Sequence, residues 1–570
     1  MEILDYITIA VFAAGIMFVG SLFSSTGKNM KSFFAGGGNV PWWISGLSLF
    51  MGFFSAGTFV VWGSIAYSMG FVAVTIQLTM AAAGFAVGLL IAPRWNKTGC
   101  LTAAEYITRR YGASTQKLYT YIFLFISIFT TGSFLYPIAK IIEVAAGIPL
   151  SSSILILGVF CMIYVSLGGL RAVVVTDVLQ FIILFAAVII VIPLAFGEVG
   201  GVPEFLARVP EGFFTLFAGE YNWVFIVAFM LYNLFFLGGN WAYVQRYTSV
   251  RTPRDAKKVG VLFGVLYTFS PILWMLPPMI YRVFEPGLSG LENENAYLLM
   301  CKQTMPAGML GLMLGGMIFA TASSLNATLN ISAGVFTNDI FKRLRPAAGE
   351  TTLMKVARIS TLGFGMLAIA VALLIPNMGG IVNVVISVAA LTGVPLYLPL
   401  IWSLFSKNLN GRAILSTTVT SLTVNAVLKF ITPAAVGFSL SRAEEMLVGV
   451  LFPALLLTGY EIYHKLSGSR VCVPMPAAEN AAAPAAEDAG TDNNNSIRII
   501  GAGAAISGCF ISLIALLSGG ETLVLLTTGI VLTVLGGLIF LTTKKTNNIC
   551  LSVNSKKAAN RRKYTAVTVW

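Results

Sequence analysis

Residues Ala320 to Asn330 read ATASSLNATLN within a long apolar stretch. Ser323 and Ser324 are adjacent, Asn326, Thr328 and Asn330 follow, and the segment has no charge. Hydroxyls and amides in such surroundings need partners, because a polar group left unpaired away from water is costly. They can bond back to carbonyls of their own helix, bond across to a neighbour, or present uncharged oxygens to something other than the protein. Two ionisable groups raise the same question. Asp177 lies about a turn inside an apolar run, 173–196, and Lys140 lies inside another, 117–146, with Glu143 following at i+3. Charges at membrane depth are functional candidates by default. The plainer readings are an Asp177 carboxylate reaching out to a loop arginine, and a Lys140 that pairs with Glu143 or snorkels outward. Beyond those, Lys140 could meet an anionic solute.

The elements that must position these groups are set by composition. The 570 residues are 57% hydrophobic and 10% charged, with a mean hydropathy of +0.85. Soluble domains carry about a quarter charged residues. So little charge cannot cover a water-soluble surface, which places the chain in the membrane class. The 56 glycines agree, since membrane helices use Gly for close packing. The net charge of +13 would suggest a nucleic-acid partner in a soluble protein. Here the cations cluster in short loops and read as a topology signal, with no nucleic acid and no obligate protein partner implied. Six scattered cysteines and the single His464 offer no metal-ligand spacing. The N-terminal run MEILDYITIAVF has no basic region or cleavage site and reads as a retained span. No phosphate-binding loop, H-E-x-x-H motif or Ser/His/Asp set nominates an enzyme.

Apolar runs of about twenty residues mark spanning helices, and the chain holds about fifteen. Loops between them alternate in charge. One set carries Arg94, Lys97, Arg109, Arg110, Arg251, Arg254, Lys257, Lys258, Lys342, Arg343 and Arg345. The opposite set carries Glu198, Glu204, Glu211, Glu220, Glu285, Glu292 and Glu294. The positive-inside rule puts the first set in the cytoplasm, the N-terminus outside and the C-terminus inside. The basic tail, 544–570, then falls on the cytoplasmic side, where it suits lipid headgroups. The Ala/Pro/Asn-rich segment 474–495 has no apolar periodicity and reads as disordered.

Two runs look interrupted. The middle of 42–70 reads MGFFSAGTF and the middle of 223–247 reads LGGNWAY. Gly and small polar residues weaken a helix, and unwound backbone at that depth is tolerated only where it is buried in protein or lines a cavity. Each interrupted run opens a five-helix block, 42–196 and 223–405, and the two blocks start on opposite sides. That is the pattern of inverted-repeat transporters, with a site at the midplane between broken helices. The alternative is Gly serving close packing alone. The division is then 1–41, an extra helix and loop; 42–196, the first repeat; 223–405, the second; 406–463, additional helices; 464–496, a cytoplasmic linker; 497–543, a terminal helix pair; and 544–570, the tail.

Six ordered segments carry a resemblance. They are GGGNVPWWISGLSL, TAAEYITRRYG at 102–112, GGLRAVVVTDVLQ at 168–180, NWAYVQRY at 240–247, NENAYLL at 293–299 and ATASSLNATLNISAGVFTNDIFKR at 320–343. In these the chain resembles the sodium/solute symporter family over about 30–465. The resemblance implies an all-α membrane protein with a five-plus-five inverted-repeat core of the LeuT type. It also implies sodium as coupling ion and the lipid bilayer and a small solute as partners. Sodium wants oxygen ligands, and neutral ones let it leave again. The family supplies carbonyls at the first break plus a carbonyl and two serines on the eighth core helix. By resemblance these are Met51, Phe54, Ala320, Ser323 and Ser324, with the serines on one helical face with Ala320. Asp177, in the family's Thr-Asp pair, is implied to lie near the sodium exit. Asn240 is implied to contact solute and Tyr243 to close the pocket beneath it.

One departure bears on substrate. Sugar-carrying members have an acidic residue and an amide where this chain has Gly57 and Thr58. Those two residues supply one hydroxyl and exposed backbone, too few partners for a hexose. The expectation is sodium-coupled import of a small organic solute, a carboxylate or amino acid rather than a hexose, with Gly57, Thr58, Asn240, Tyr243 and Lys140 as substrate or gate residues. The location expected is a plasma membrane, a bacterial inner one. The alternatives are a transporter-like solute sensor and a proton-coupled symporter on the same fold.

Overall fold

The computed structural model describes residues 1–22, 39–100, 102–165, 170–466, 486–517 and 523–542. Among them no named strand occurs, and the regular structure is helical. Among the described residues ten helices are long and apolar enough to cross a membrane, eleven if the bent pair Trp223–Gly239 and Trp241–Thr248 is one span. Shorter apolar helices, Ile3–Val19, Trp42–Met51, Thr58–Met69, Leu150–Phe160 and Met309–Leu325, occupy the other places where the sequence predicts spans.

The two blocks repeat one order of elements. In the first, the broken span Trp42–Met69 leads to a helix across Val72–Lys97, a short helix Ala103–Tyr111, then Ala113–Ala146, Leu150–Val165 and Leu170–Glu198. In the second, the broken span Trp223–Thr248 leads to Pro253–Phe284, a short helix Ala296–Thr304, then Met309–Val335, Glu350–Leu374 and Gly380–Phe405. Local chemistry sets several starts. Thr102 accepts the Glu105 N–H at 3.1 Å and Thr252 accepts the Asp255 N–H at 3.1 Å, with Pro253 in the first helical turn.

The repeats meet most closely at glycines. A Cβ on Gly260 would stand 2.4 Å from the Gly88 Cα, so Val72–Lys97 and Pro253–Phe284 cross with their backbones almost touching. The N-terminal helix Ile3–Leu22 is tied in by its own carboxylate. Asp5 Oδ1 accepts the N–H groups of Gly308 at 2.7 Å and Gly311 at 3.0 Å, where Met309–Val335 begins. An acceptor there satisfies donors that a helix start leaves open.

Two expected boundaries move. The helix Ala486–Leu517 begins inside the segment 474–495 that composition reads as disordered, so 486–495 are helical; the rest of that segment lies outside the described residues. The helix extends an apolar run through polar residues that cost it only modest propensity. Likewise Arg442–Leu466 runs past the expected linker start at 464. The tail 544–570 lies outside the described residues.

Candidate functional site

The first break is built by redirected backbone donors. A helix ladder would send the Ser55 and Ala56 N–H groups to the carbonyls of Met51 and Gly52. Instead Ser55 N–H points to Thr58 Oγ1 at 3.4 Å, and Ala56 N–H crosses to Thr321 Oγ1 at 2.8 Å. The Met51 and Gly52 carbonyls are thereby released from helix bonding. Thr58 Oγ1 also donates to the Phe53 carbonyl, and a π-helical turn, Thr58–Trp62, resumes the span. Thr58 and Phe54 are buried, and the Phe54 ring packs on Trp274 with centroids 4.7 Å apart.

Beside this break stands Met309–Val335. Ser323 Oγ donates to Asp177 Oδ1 at 2.7 Å, and Ser48 Oγ, from the half-helix before the break, donates to Asp177 Oδ2 at 2.6 Å. Asp177 is thus a buried carboxylate bridging three elements rather than a snorkelling one. Ser324 Oγ lies 3.4 Å from the Ala320 carbonyl, a long back-bond. Thr328 bonds back to the Ser324 carbonyl at 3.1 Å. The side chains of Asn326 and Asn330 lie outside the described residues.

The second break is a single residue. Asn240 has a φ of -63° and ψ of 130°, and the two half-helices bend by 58° across it. Its Oδ1 accepts the Ala242 N–H at 3.0 Å and caps the second half, while its Nδ2 donates to Tyr397 Oη at 3.2 Å. Tyr243 follows on the first turn, its ring 4.7 Å from Phe53 and 5.5 Å from Phe236. The two breaks therefore touch through aromatic faces.

Between them lies a cavity of about 90 Å³. Met51, Asp177, Asn240, Tyr243, Ser323 and Ser324 all line it. The volume exceeds several-fold the space one water needs. The cavity extends along Ser48, Ser127, Arg246 and Ile331, on the halves leading to the cation-rich loops. Toward the other side the way is filled by Phe54, Phe59, Trp274 and Tyr297, each buried and in tilted ring contact with the next. Phe54 and Ala320 flank the lining as buried neighbours.

Five sequence candidates do not line the cavity: Phe54 and Ala320, which stand beside it, and Gly57, Thr58 and Lys140. Gly57 and Thr58 do not line it, because the Thr58 hydroxyl is taken up inside the break. Lys140 does not line it either, because its Nζ forms an ion pair with Glu143 at 2.8 Å. Several lining residues were missed, Ser48, Arg246 and Tyr397 among them. Ser48 and Tyr397 meet their partners across the fold, and Ser48, in the quoted GGGNVPWWISGLSL, and Arg246, in NWAYVQRY, stood in segments already singled out.

Residues 33–420 match the model of the sodium:solute symporter family. The chain belongs to that family. It is a transporter, not an enzyme, a multi-pass membrane protein that couples sodium to the movement of a small solute. It is 27% identical to a sodium/glucose cotransporter of Vibrio parahaemolyticus over 497 residues, covering 80% of this chain and 90% of that one. It is 25% identical to the sodium/sialic acid symporter SiaT of Proteus mirabilis over 441 residues, covering 74% and 89%. Among solved structures, a substrate-bound, outward-open Na⁺-coupled sialic acid symporter superposes with a TM-score of 0.66 at 22% identity, covering 82% of this chain and 98% of that one. A nucleobase-cation-symport-1 transporter superposes at 0.52 with 13% identity, covering 81% and 99%. Both share the fold, which is the LeuT-like arrangement of broken helices.

Proposed function

We propose that this symporter imports a small organic carboxylate or amino acid across a bacterial plasma membrane, with its N-terminus outside and its C-terminus in the cytoplasm. Sodium is held by the carbonyls of Met51, Phe54 and Ala320 and the hydroxyls of Ser323 and Ser324. The single observation that carries the reading is the shared cavity, which joins the released Met51 carbonyl, the two serines and Asp177 to the Asn240–Tyr243 turn. These are oxygen donors, as a hard cation requires. The Ala320 carbonyl and Ser324 hydroxyl lie 3.4 Å apart, close enough for one small ion to be shared by both.

Coupling follows from where the ligands sit. Sodium links the first half-helix to Met309–Val335, and the solute rests on the second break. Each shifts the conformational equilibrium only by its differential affinity for the two states, so occupancy of one site favours the other. Tyr243 closes beneath the solute. With the cavity open toward the cation-rich side, which the positive-inside rule makes cytoplasmic, sodium leaves past Asp177. The substrate class rests on Gly57 and Thr58. Neither offers a free side-chain partner, and sugar hydroxyls left unmatched in a closed pocket lower affinity. Of the two relatives named, one carries glucose and one carries sialic acid, an acid by its name.

The test is uptake by the full chain in proteoliposomes, with and without an inward sodium gradient, across hexoses, sialic acid, monocarboxylates and amino acids. Sodium-driven uptake of an acid or amino acid is expected. Uptake of glucose or galactose with no response to any carboxylate overturns the substrate class. Orientation is checked in a cysteine-free background by Gly349→Cys and Thr215→Cys, at two exposed loop positions. An impermeant thiol reagent on intact cells is expected to label only the second.

A further inference from the structure

The cavity wall carries one anion and one cation, Asp177 and Arg246, and its other lining residues are uncharged. Both are buried, Arg246 with 7% of its surface exposed. They are not joined. Asp177 takes its hydrogen bonds from Ser48 and Ser323, neutral donors, and no ion pair within 4.0 Å links it to Arg246. Arg246 gives Nη1 to the Ala242 carbonyl of its own helix at 2.9 Å, and its buried Nε has no partner. The backbone is fixed, since its carbonyl accepts Ser45 Oγ at 2.9 Å and Ser249 Oγ at 3.2 Å. The side chain therefore projects from an anchored residue, beside the half-helix that bears Ser48.

A guanidinium keeps its charge at every accessible pH. Buried at membrane depth, it needs a counter-charge, and so does Asp177. Each is the other's nearest charged lining residue. Ser323 bonds Asp177 and is also a proposed sodium ligand, so a sodium ion there lies next to the same carboxylate.

We infer that Arg246 is a built-in competitor of sodium for Asp177. In the sodium-free carrier the guanidinium balances the carboxylate, and an arriving sodium takes that role over and releases it. Two cations that share one carboxylate weaken each other's hold by the same factor. Arg246 thus lowers sodium affinity, which lets the ion leave, and keeps the empty carrier electrically balanced for its return. This is a positioning role, separate from ligation, and it rests on the sodium site proposed above.

The experiment is sodium binding to the purified full chain without solute, read as thermal stabilisation by sodium chloride against choline chloride at constant ionic strength. Arg246→Gln is expected to tighten sodium binding on the order of tenfold, a gain that loss of a merely structural residue does not give. Arg246→Lys, which keeps the charge, tightens it far less. In an Asp177→Asn background the Gln change has an effect within about twofold, because its target is gone. If Arg246→Gln alone is too unstable to purify, the Asp177→Asn, Arg246→Gln double variant must recover, since both charges leave together. Unchanged or weaker sodium binding in Arg246→Gln, or a double variant no more stable than the single one, overturns the inference. A wild type with no sodium-specific stabilisation overturns the sodium site itself, a distinct result.

Discussion

The two broken spans interrupt a helix in different ways. The first loses its helix over 52–55 and resumes through a π-helical turn; the second turns by 58° on Asn240 alone. At the first, backbone N–H groups are drawn away to Thr58 and Thr321, which releases carbonyl oxygens. At the second, an orphan donor of the new half-helix, the Ala242 N–H, is capped at once by the Asn240 side chain. An opened run of carbonyls suits a cation. A capped pivot suits an aromatic side chain that must swing as a unit with its half-helix. The repeated topology thus gives two halves that are alike in path and opposite in polar chemistry, as expected where one site takes an ion and the other an organic solute.

If the division is right, variants at the first break move sodium dependence and leave solute affinity nearly alone. The largest effect is expected for Ser323→Ala. It removes a proposed ligand and one of the two hydroxyls that hold Asp177. A buried polar group left unpaired costs about 1–3 kcal/mol, roughly tenfold or more in the sodium concentration for half-maximal uptake. Ser324→Ala is expected to act in the same direction and less strongly, since its hydroxyl has only a long bond to the Ala320 carbonyl. Wild-type sodium dependence in both variants would remove these hydroxyls from the site.

Variants at the second break test the other half. Asn240→Ala removes the cap and the bond to Tyr397. An N-cap is worth about 0.5–2 kcal/mol, so the solute KM is expected to rise several-fold while sodium dependence stays put. Tyr397→Phe takes away only the bond to the Asn240 amide and is expected to cost about 1 kcal/mol, seen as a smaller rise in KM. A change confined to sodium dependence in either variant would erase the distinction between the two breaks.

The sequence made one kind of information legible and concealed another. Apolar run length and loop charge located the spans, and Gly with small polar residues located both breaks, because these properties act locally along the chain. The adjacency of Ser323 and Ser324 likewise survives in one helix. What spacing cannot carry is pairing between distant segments. Ser48 is 129 positions from Asp177, and Tyr397 is 157 from Asn240. Neither has a local signature that distinguishes it from other hydroxyls in apolar helices. Thr58 does not line the cavity for a related reason. A hydroxyl beside an unwound turn finds backbone partners first, here the Phe53 carbonyl.

The smallest effect should come from Lys140, outside both breaks. Its charge inside a span invited either a pairing with Glu143 or a role in attracting an anionic solute, and its geometry supplies the Glu143 partner. Nζ sits 2.8 Å from Glu143 Oε2, one turn on in the same helix, with side-chain exposures of 14% and 34%. A partly exposed pair of this kind contributes about 0–1 kcal/mol, and solvent screening places it toward the lower end. Lys140→Gln should therefore leave the solute KM within about twofold and shift the melting temperature slightly. A residue that touched an anionic solute would behave otherwise, because removing a charged hydrogen-bond partner costs about 1.5–3 kcal/mol, more than tenfold in KM. A loss of that size in Lys140→Gln, matched by no loss in Glu143→Gln, would move the solute site up from the second break toward the end of Ala113–Ala146 that carries the pair.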